Sequence, residues 1–490
     1  MAEDIKRKTT VGIIWRGLER TASKGLQFVF SVLIARVLMP EDYGIIAIAN
    51  LCISLSDILV DSGFSKAIIR KKDRTDEDFN SVFFFNIIIS LILYGVFWFT
   101  APFLADYYQQ ELLTKVIRIM TVSLIINAAL GVPISKLSIS MDFKRIALIE
   151  TVSMCLAGIV GVWLAMTGYG VMSLAIQALS GNSLRLLFYF GAVRWAPSLS
   201  ISFSSLNQLF SFGSKLLVTE YIQRIYNALF TLTIGKKFSA AQLGYYGKAE
   251  AFAYTPSGIL SSSLISVTYP AITRIQDDKE ALRRNFVPMM VLSSFIIFPC
   301  FFGLGAIAKP LIPLILTEKW SPIVPFLQIL LFNHLSISLL AIPNNYLLAL
   351  GKTSLVLRLH VITKAIGVLL LFPCCRVSLQ LVCLLISFSS FLLLLLEIHA
   401  VRKEIAFSIS ELLKGMIPTV SISVFMLLGV IFTTLIISTN LWSVLVGCVV
   451  GVVIYWGVSA VTRNKQYIEL KRMVLQVFHR KNGSDLQDGF

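Results

Sequence analysis

Charge is scarce in this sequence. Asp, Glu, Lys and Arg together make up 14% of its 490 residues, where an ordinary soluble domain carries about 25%. A water-soluble fold of this length would have too little polar material to cover its core. Disorder is excluded as well, because a disordered chain is poor in apolar residues. This one is 56% hydrophobic, with a mean hydropathy of +0.79. The cysteines number seven, an odd count, and nearly all sit inside apolar runs, so they form no disulfide framework. There are four histidines, and no P-loop, metal-spaced His/Cys cluster, nucleophile elbow or paired acid/base signature is present. The polar opening MAEDIKRKTT leads to no small-residue cleavage site, so no cleaved signal peptide is expected. No exterior segment is long enough to build a catalytic loop, and the chain is not expected to be an enzyme.

What the sequence has in abundance is apolar runs about as long as a bilayer is thick, roughly 20 residues each. Fourteen are found: 11–38, 43–67, 80–104, 112–136, 146–167, 170–193, 207–234, 243–269, 286–308, 323–350, 355–374, 378–400, 413–437 and 441–462. Turn chemistry separates them, as at Pro40-Glu41-Asp42, Gly168-Tyr169-Gly170 and Gly351-Lys352-Thr353. The fold class is therefore an all-α polytopic membrane protein. An even number of spans puts both termini on one side. With that side cytoplasmic, 25 basic residues fall in inner segments and 7 in outer ones, a strong positive-inside bias. The formal net charge of +16 is then a topology signal, and no nucleic acid partner is implied.

The chain also repeats itself. Ile34-Ala35-Arg36 followed by Tyr43-Gly44 matches Ile234-Gly235-Lys236 followed by Leu243-Gly244, at an offset of 200. Ala67-Ile68-Ile69-Arg70 matches Ala271-Ile272-Thr273-Arg274 at 204. Six spans separate the copies, which gives them the same orientation. Such parallel repeats, related by an axis along the membrane normal, are a transporter architecture.

Eleven basic residues lie inside the spans, among them Arg16, Arg20, Lys24, Lys66, Arg118, Arg185, Lys215, Arg224 and Lys248. A basic residue at mid-bilayer costs about 2.5–3.5 kcal/mol on translocon scales, so such groups face a wet cavity or a partner. Arg16, Arg20, Lys24, Gln27 and Ser31 follow one helical face, and Glu220, Arg224, Asn227 and Thr231 repeat its polarity. Asn50, Ser54, Asp57 and Asp61 form a second stripe, repeated by Glu250, Tyr254, Ser257 and Ser261. The first two helices of each half are thus expected to line a central hydrophilic cavity. Blander readings exist: Arg16 and Lys66 can snorkel to headgroups, and Glu19 with Arg20, or Asp57 with Lys24, can be structural ion pairs. His334 reads first as a hydrogen-bonded packing residue, with proton carriage the rarer alternative.

Gly12, Trp15, Arg16, Gln27, Ala35-Arg36, Leu38, Pro40, Asp42-Tyr43-Gly44, Asp61, Gly63 and Ala67-Ile68 give the opening a resemblance to bacterial polysaccharide-repeat flippases. These are Wzx-like O-antigen, colanic-acid and teichuronic-acid exporters of the multidrug/oligosaccharidyl-lipid/polysaccharide (MOP) superfamily. The resemblance implies a MATE/MurJ-like fold of two six-helix bundles, 1–200 and 201–400, two further helices in 401–462 and a basic cytoplasmic tail, 463–490. It implies movement of an undecaprenyl-pyrophosphate-linked repeat unit to the outer leaflet of the bacterial inner membrane, for lipopolysaccharide, capsule or exopolysaccharide synthesis. Arg16, Arg20, Lys24, Lys215 and Arg224 are then the residues for the anionic headgroup. Glu19, Asp57, Asp61, Glu220 and Glu250 are those for a coupling proton or sodium ion. No resident cofactor or metal is expected, and the protein is expected to work as a monomer beside polymerase and glycosyltransferase partners. A drug or cation antiporter of the same superfamily shares the fold, but its cargo suits a cationic cavity badly. A membrane-embedded polymerase would need a large exterior loop, which is lacking.

Overall fold

A computed structural model describes residues 25–472 apart from positions 62, 72 and 438, and leaves the side chains at 66 and 211–223 undescribed. The described residues are helical almost throughout. The helices are α1 (Gly25–Val37, the described part), α2 (Pro40–Asp61), α3 (Phe64–Arg70), α4 (Asp76–Tyr108), α5 (Glu111–Ile139), α6 (Phe143–Met166), α7 (Val171–Val193), α8 (Phe203–Lys237), α9 (Ala240–Thr273), α10 (Lys279–Leu316), α11 (Ile323–Ala349), α12 (Thr353–Cys375), α13 (Leu379–Ile405), α14 (Ile409–Ile436) and α15 (Asn440–Val461). Eleven of these are long and apolar enough to cross a membrane. α8 and α9 are longer than most but too polar for that description, and both carry the stripes noted in the sequence.

Each of the fourteen apolar runs meets a helix among the described residues, the first of them only from Gly25 on, and several helices overrun their run. An apolar run measures hydrocarbon thickness, whereas a helix continues until a cap stops it. α4 begins at a capping box in which Thr75 and Asp78 satisfy each other's backbone N–H groups. α10 begins at Asp278, whose carboxylate accepts from the N–H groups of Glu280 and Ala281. The run 43–67 is broken in two. Gly63 takes a left-handed conformation, φ 72°, which a residue lacking Cβ adopts without strain. Asp61 then accepts hydrogen bonds from the backbone N–H and hydroxyl of Ser65, stabilising the first turn of α3.

The chain divides into two compact units, Met1–Gly247 and Lys248–Phe490. In the first, α5 is central and packs on α2, α4 and α7, while α6 pairs with α7. Phe64, Ile68, Val82 and Val132 form one core cluster, and Leu130, Ile146 and Tyr189 another. In the second unit α11 packs on α13, and α10 on α14 and α15. Phe286 packs in its core edge-to-face on Tyr346, centroids 5.0 Å apart, and tilted on Phe407 at 4.5 Å. Tyr455 ties α15 to α10 by donating to the Phe295 carbonyl at 2.6 Å.

The duplication is visible in the backbone. α1 stops at Val37 and α2 starts at Pro40; α8 stops at Lys237 and α9 starts at Ala240, the same break 200 positions on. Inside the first unit the two breaks cross. A Cβ on Gly44 would meet the Ala240 carbonyl oxygen at 2.0 Å, and one on Gly244 would meet that of Pro40 at 1.9 Å. The contacts are reciprocal under the 200-residue shift, which is the mark of a local two-fold axis. Only glycine allows backbones this close.

Candidate functional site

α2 carries Asp57 and Asp61 one turn apart, so both carboxylates share a face. They line a cavity of about 290 Å³ in the first unit with Ser65 of α3, Asn86 of α4, Asn127 of α5 and Arg185 of α7. Asn127 donates to Asp57 at 3.3 Å. Asn86 is buried, and its side-chain oxygen has no partner among the described residues. Arg224, on α8, donates to the Ser54 carbonyl of α2 at 3.0 Å and stands near enough for its charge to act on Asp57.

Arg185 is held in place from behind. Its Nε and Nη2 donate to one oxygen of Glu150 at 3.2 Å and 2.9 Å, and Tyr189 donates to the same oxygen at 2.8 Å. Nη1 adds a bond to Asn182 at 3.4 Å. The carboxylate compensates the charge inside the bundle and fixes the guanidinium at the cavity wall. One arginine, two carboxylates and two amides thus line a polar space, with Arg224 close by on the Ser54 carbonyl.

The second unit has its own polar centre, built along α11. His334 Nε2 lies 3.0 Å from Glu250 Oε1 of α9. Ser338 and Ser257 hydroxyls meet at 3.1 Å, and Asn345 donates to Thr268 at 2.8 Å. Three successive contacts therefore join α11 to α9. His334 Nδ1 and Glu250 Oε2 have no partner among the described residues. The histidine is 3% exposed and the glutamate side chain 36%, but the glutamate's free oxygen is itself buried. An imidazole and a carboxylate at this distance can share and exchange a proton. On the far side of α11, Glu397 is fully buried; Asn344 donates to its Oε1 at 3.1 Å. His360 Nε2 is 3.3 Å from that oxygen, within ion-pair reach but not aligned for a hydrogen bond. Among the described residues no three His, Cys, Asp or Glu side chains gather as metal ligands.

Of the residues singled out in the sequence, Asp57, Asp61 and Arg224 come together in the first unit, and Glu250 pairs with His334 in the second. Arg16, Glu19, Arg20 and Lys24 lie outside the described residues, as do the side chains of Lys215 and Glu220, whose backbone belongs to α8. Some basic residues within spans are anchors. Arg118 donates to the Trp98 carbonyl and lies over its ring, 4.4 Å from the centroid. Glu150, Asn127 and Glu397 were not singled out in the sequence. Glu150 and Arg185, opposite charges in neighbouring spans, were the available signal.

The chain is similar to the lipid II flippase MurJ in an inward closed conformation, with a TM-score of 0.76 at 16% identity, covering 92% of this chain and 98% of that one. It is also similar to an inward-facing multidrug resistance MATE transporter of the MOP superfamily, with a TM-score of 0.61 at 15% identity, covering 78% and 94%. The class is thus an all-α, multi-pass membrane protein. Within it the chain belongs to the polysaccharide biosynthesis protein family, whose profile matches residues 33–325. Among its relatives are the lipopolysaccharide biosynthesis protein WzxC of Escherichia coli (strain K12), 26% identical over 66% of this chain and 67% of that protein. Another is the succinoglycan biosynthesis transport protein ExoT of Rhizobium meliloti (strain 1021), 27% identical over 67% of each.

Proposed function

We propose that the chain moves a polysaccharide repeat unit, carried on undecaprenyl pyrophosphate, from the cytoplasmic to the outer leaflet of a bacterial cytoplasmic membrane. Its substrate class is a lipid-linked oligosaccharide, and both termini are cytoplasmic. The observation that carries this reading is the mixed lining of the first unit's cavity, where Arg185 stands with Asp57, Asp61, Asn86 and Asn127, and Arg224, outside the lining, donates to the Ser54 carbonyl one turn before Asp57. Guanidinium forks suit a pyrophosphate, and carboxylates and amides suit sugar hydroxyls. Arg16, Arg20, Lys24 and Lys215 extend the same basic lining in this proposal. The repeat supports two six-helix bundles, 1–200 and 201–400, that alternate access by rocking, with 401–462 added and 463–490 as a cytoplasmic tail.

The energy source in this reading is a proton on the Glu250–His334 pair. Asp57, Asp61, Glu19 and Glu220 are the alternative groups, for sodium. A membrane potential negative inside adds about 2.3 kcal/mol per charge per 100 mV to outward movement of the anionic headgroup. The protein acts as a monomer, and polymerase and glycosyltransferase act beside it.

The test is deletion in a strain without paralogues, followed by assay of the leaflet in which lipid-linked repeat units reside. Trapping on the cytoplasmic leaflet, relieved by the parent gene but not by Arg224→Gln, is expected. Normal surface glycan in the deletion strain overturns the reading. A cation exporter of the same fold would instead tolerate Arg224→Gln.

A further inference from the structure

Two cavities adjoin along the same three helices of the second unit. One, about 830 Å³, lies where α10 and α14 begin and α15 has just ended, and Lys414, Arg463, Lys465, Glu411 and Glu469 line it. The other, about 660 Å³, continues between the same helices and is almost wholly apolar, with Phe295, Cys300, Met426, Gly451 and Trp456 in its walls. On α10 the polar cavity ends at Val291 and the apolar one begins at Phe295, four residues on, or about 6 Å of helix. The apolar slot opens on the outer surface of the unit, since Cys300, Cys448 and Trp456 in its walls are exposed.

The charges in the polar cavity are unbalanced in effect. Lys414, Arg463 and Lys465 make no ion pair among the described residues, whereas Lys352, elsewhere in the second unit, pairs with Glu404 at 2.9 Å. Glu411 sits in the first turn of α14, where the helix dipole already accommodates a carboxylate. Three cations against one remaining carboxylate, Glu469, are left at the mouth of an apolar slot in a membrane protein. An amphiphile with a phosphate at one end has the matching distribution.

We infer that this trough holds one phospholipid of the surrounding bilayer, its phosphodiester on Lys414, Arg463 and Lys465 and an acyl chain in the slot. The inference rests on the chain's being a membrane protein and not on what it transports. It is tested on the full-length protein in mild detergent by native mass spectrometry, with phosphatidylglycerol, phosphatidylcholine, undecaprenyl phosphate and inorganic phosphate as separate probes. One phosphatidylglycerol per chain should survive desolvation, bound more tightly than the other three. The triple variant K414Q/R463Q/K465Q should weaken it about a hundredfold, at roughly a factor of five per cation near the surface. Gly303→Leu should weaken it with all cations intact, because the nearest atom to a Cβ there is the Met426 methyl at 3.7 Å and the added side chain fills the slot. Unchanged phosphatidylglycerol affinity in the triple variant overturns the inference. So does phosphatidylcholine, undecaprenyl phosphate or inorganic phosphate binding as tightly as phosphatidylglycerol.

Discussion

Replacing Gly44 and Gly244 by alanine probes the crossing of α2 and α9. The added Cβ atoms would lie 2.0 Å and 1.9 Å from carbonyl oxygens of the opposite strand of the crossing. Even a close carbon–oxygen contact is about 3.3 Å, so the backbones have to part by more than 1 Å. Overpacking of this kind costs about 1–3 kcal/mol per site. A single separation relieves both clashes, because the two contacts are reciprocal. The double variant should therefore cost less than the sum of the singles, by about 1 kcal/mol or more, within the range found for residues that share partners. Gly95→Ala and Gly191→Ala are the controls: nothing lies within 4 Å of a Cβ at either, and a glycine-to-alanine change inside a helix gains about 0.5–1 kcal/mol. Reversible unfolding in mixed micelles measures all five proteins on one scale. Strict additivity of the two crossing variants, or stability equal to the controls, would refute the reasoning.

Glu150→Gln should destabilise the first unit by about 1–3 kcal/mol, below the full cost of breaking a buried pair because both side chains are partly exposed. Adding Arg185→Gln should recover part of that loss, which a double-mutant cycle in the same unfolding assay will read. Tyr455→Phe removes the 2.6 Å bond to the Phe295 carbonyl and should cost about 0.5–1.5 kcal/mol, again by unfolding. His334→Gln keeps a polar side chain beside Glu250 but cannot carry a proton. It should remove the dependence of export on a pH gradient in proteoliposomes while substrate binding persists, and retention of that dependence would reassign the coupling group.

The spans were legible because hydrocarbon thickness imposes a length on apolar runs that survives without any tertiary knowledge. The break at Gly63 was hidden: it falls inside a continuous apolar run, and its cause is one left-handed residue and a carboxylate reaching Ser65. Asp57 and Asp61 were legible from their one-turn spacing, and Glu250 from its place in the repeat. The partners were not. Asn127 lies 70 residues from Asp57 and Glu397 lies 53 from Asn344, and only packing of α2 on α5 or α11 on α13 brings them together. His334, read first as a packing residue, does pack, and it also faces the carboxylate that the repeat had marked. Arg185 was seen as a charge within a span, but its orientation depends on Glu150 and Tyr189, which spacing along one helix cannot supply.

The polarity of α8 bears on how the protein is made. Its sequence includes Lys215, Glu220 and Arg224, and it packs against α2, α3 and α4, all synthesised before it. A helix with such residues is a poor signal for the translocon when it emerges alone. Its entry into the bilayer should therefore wait on those earlier helices, which can receive its polar side as it leaves the ribosome. Weakening that reception, in α2 above all, should appear first as chains degraded during synthesis and only secondly as chains that fail to transport.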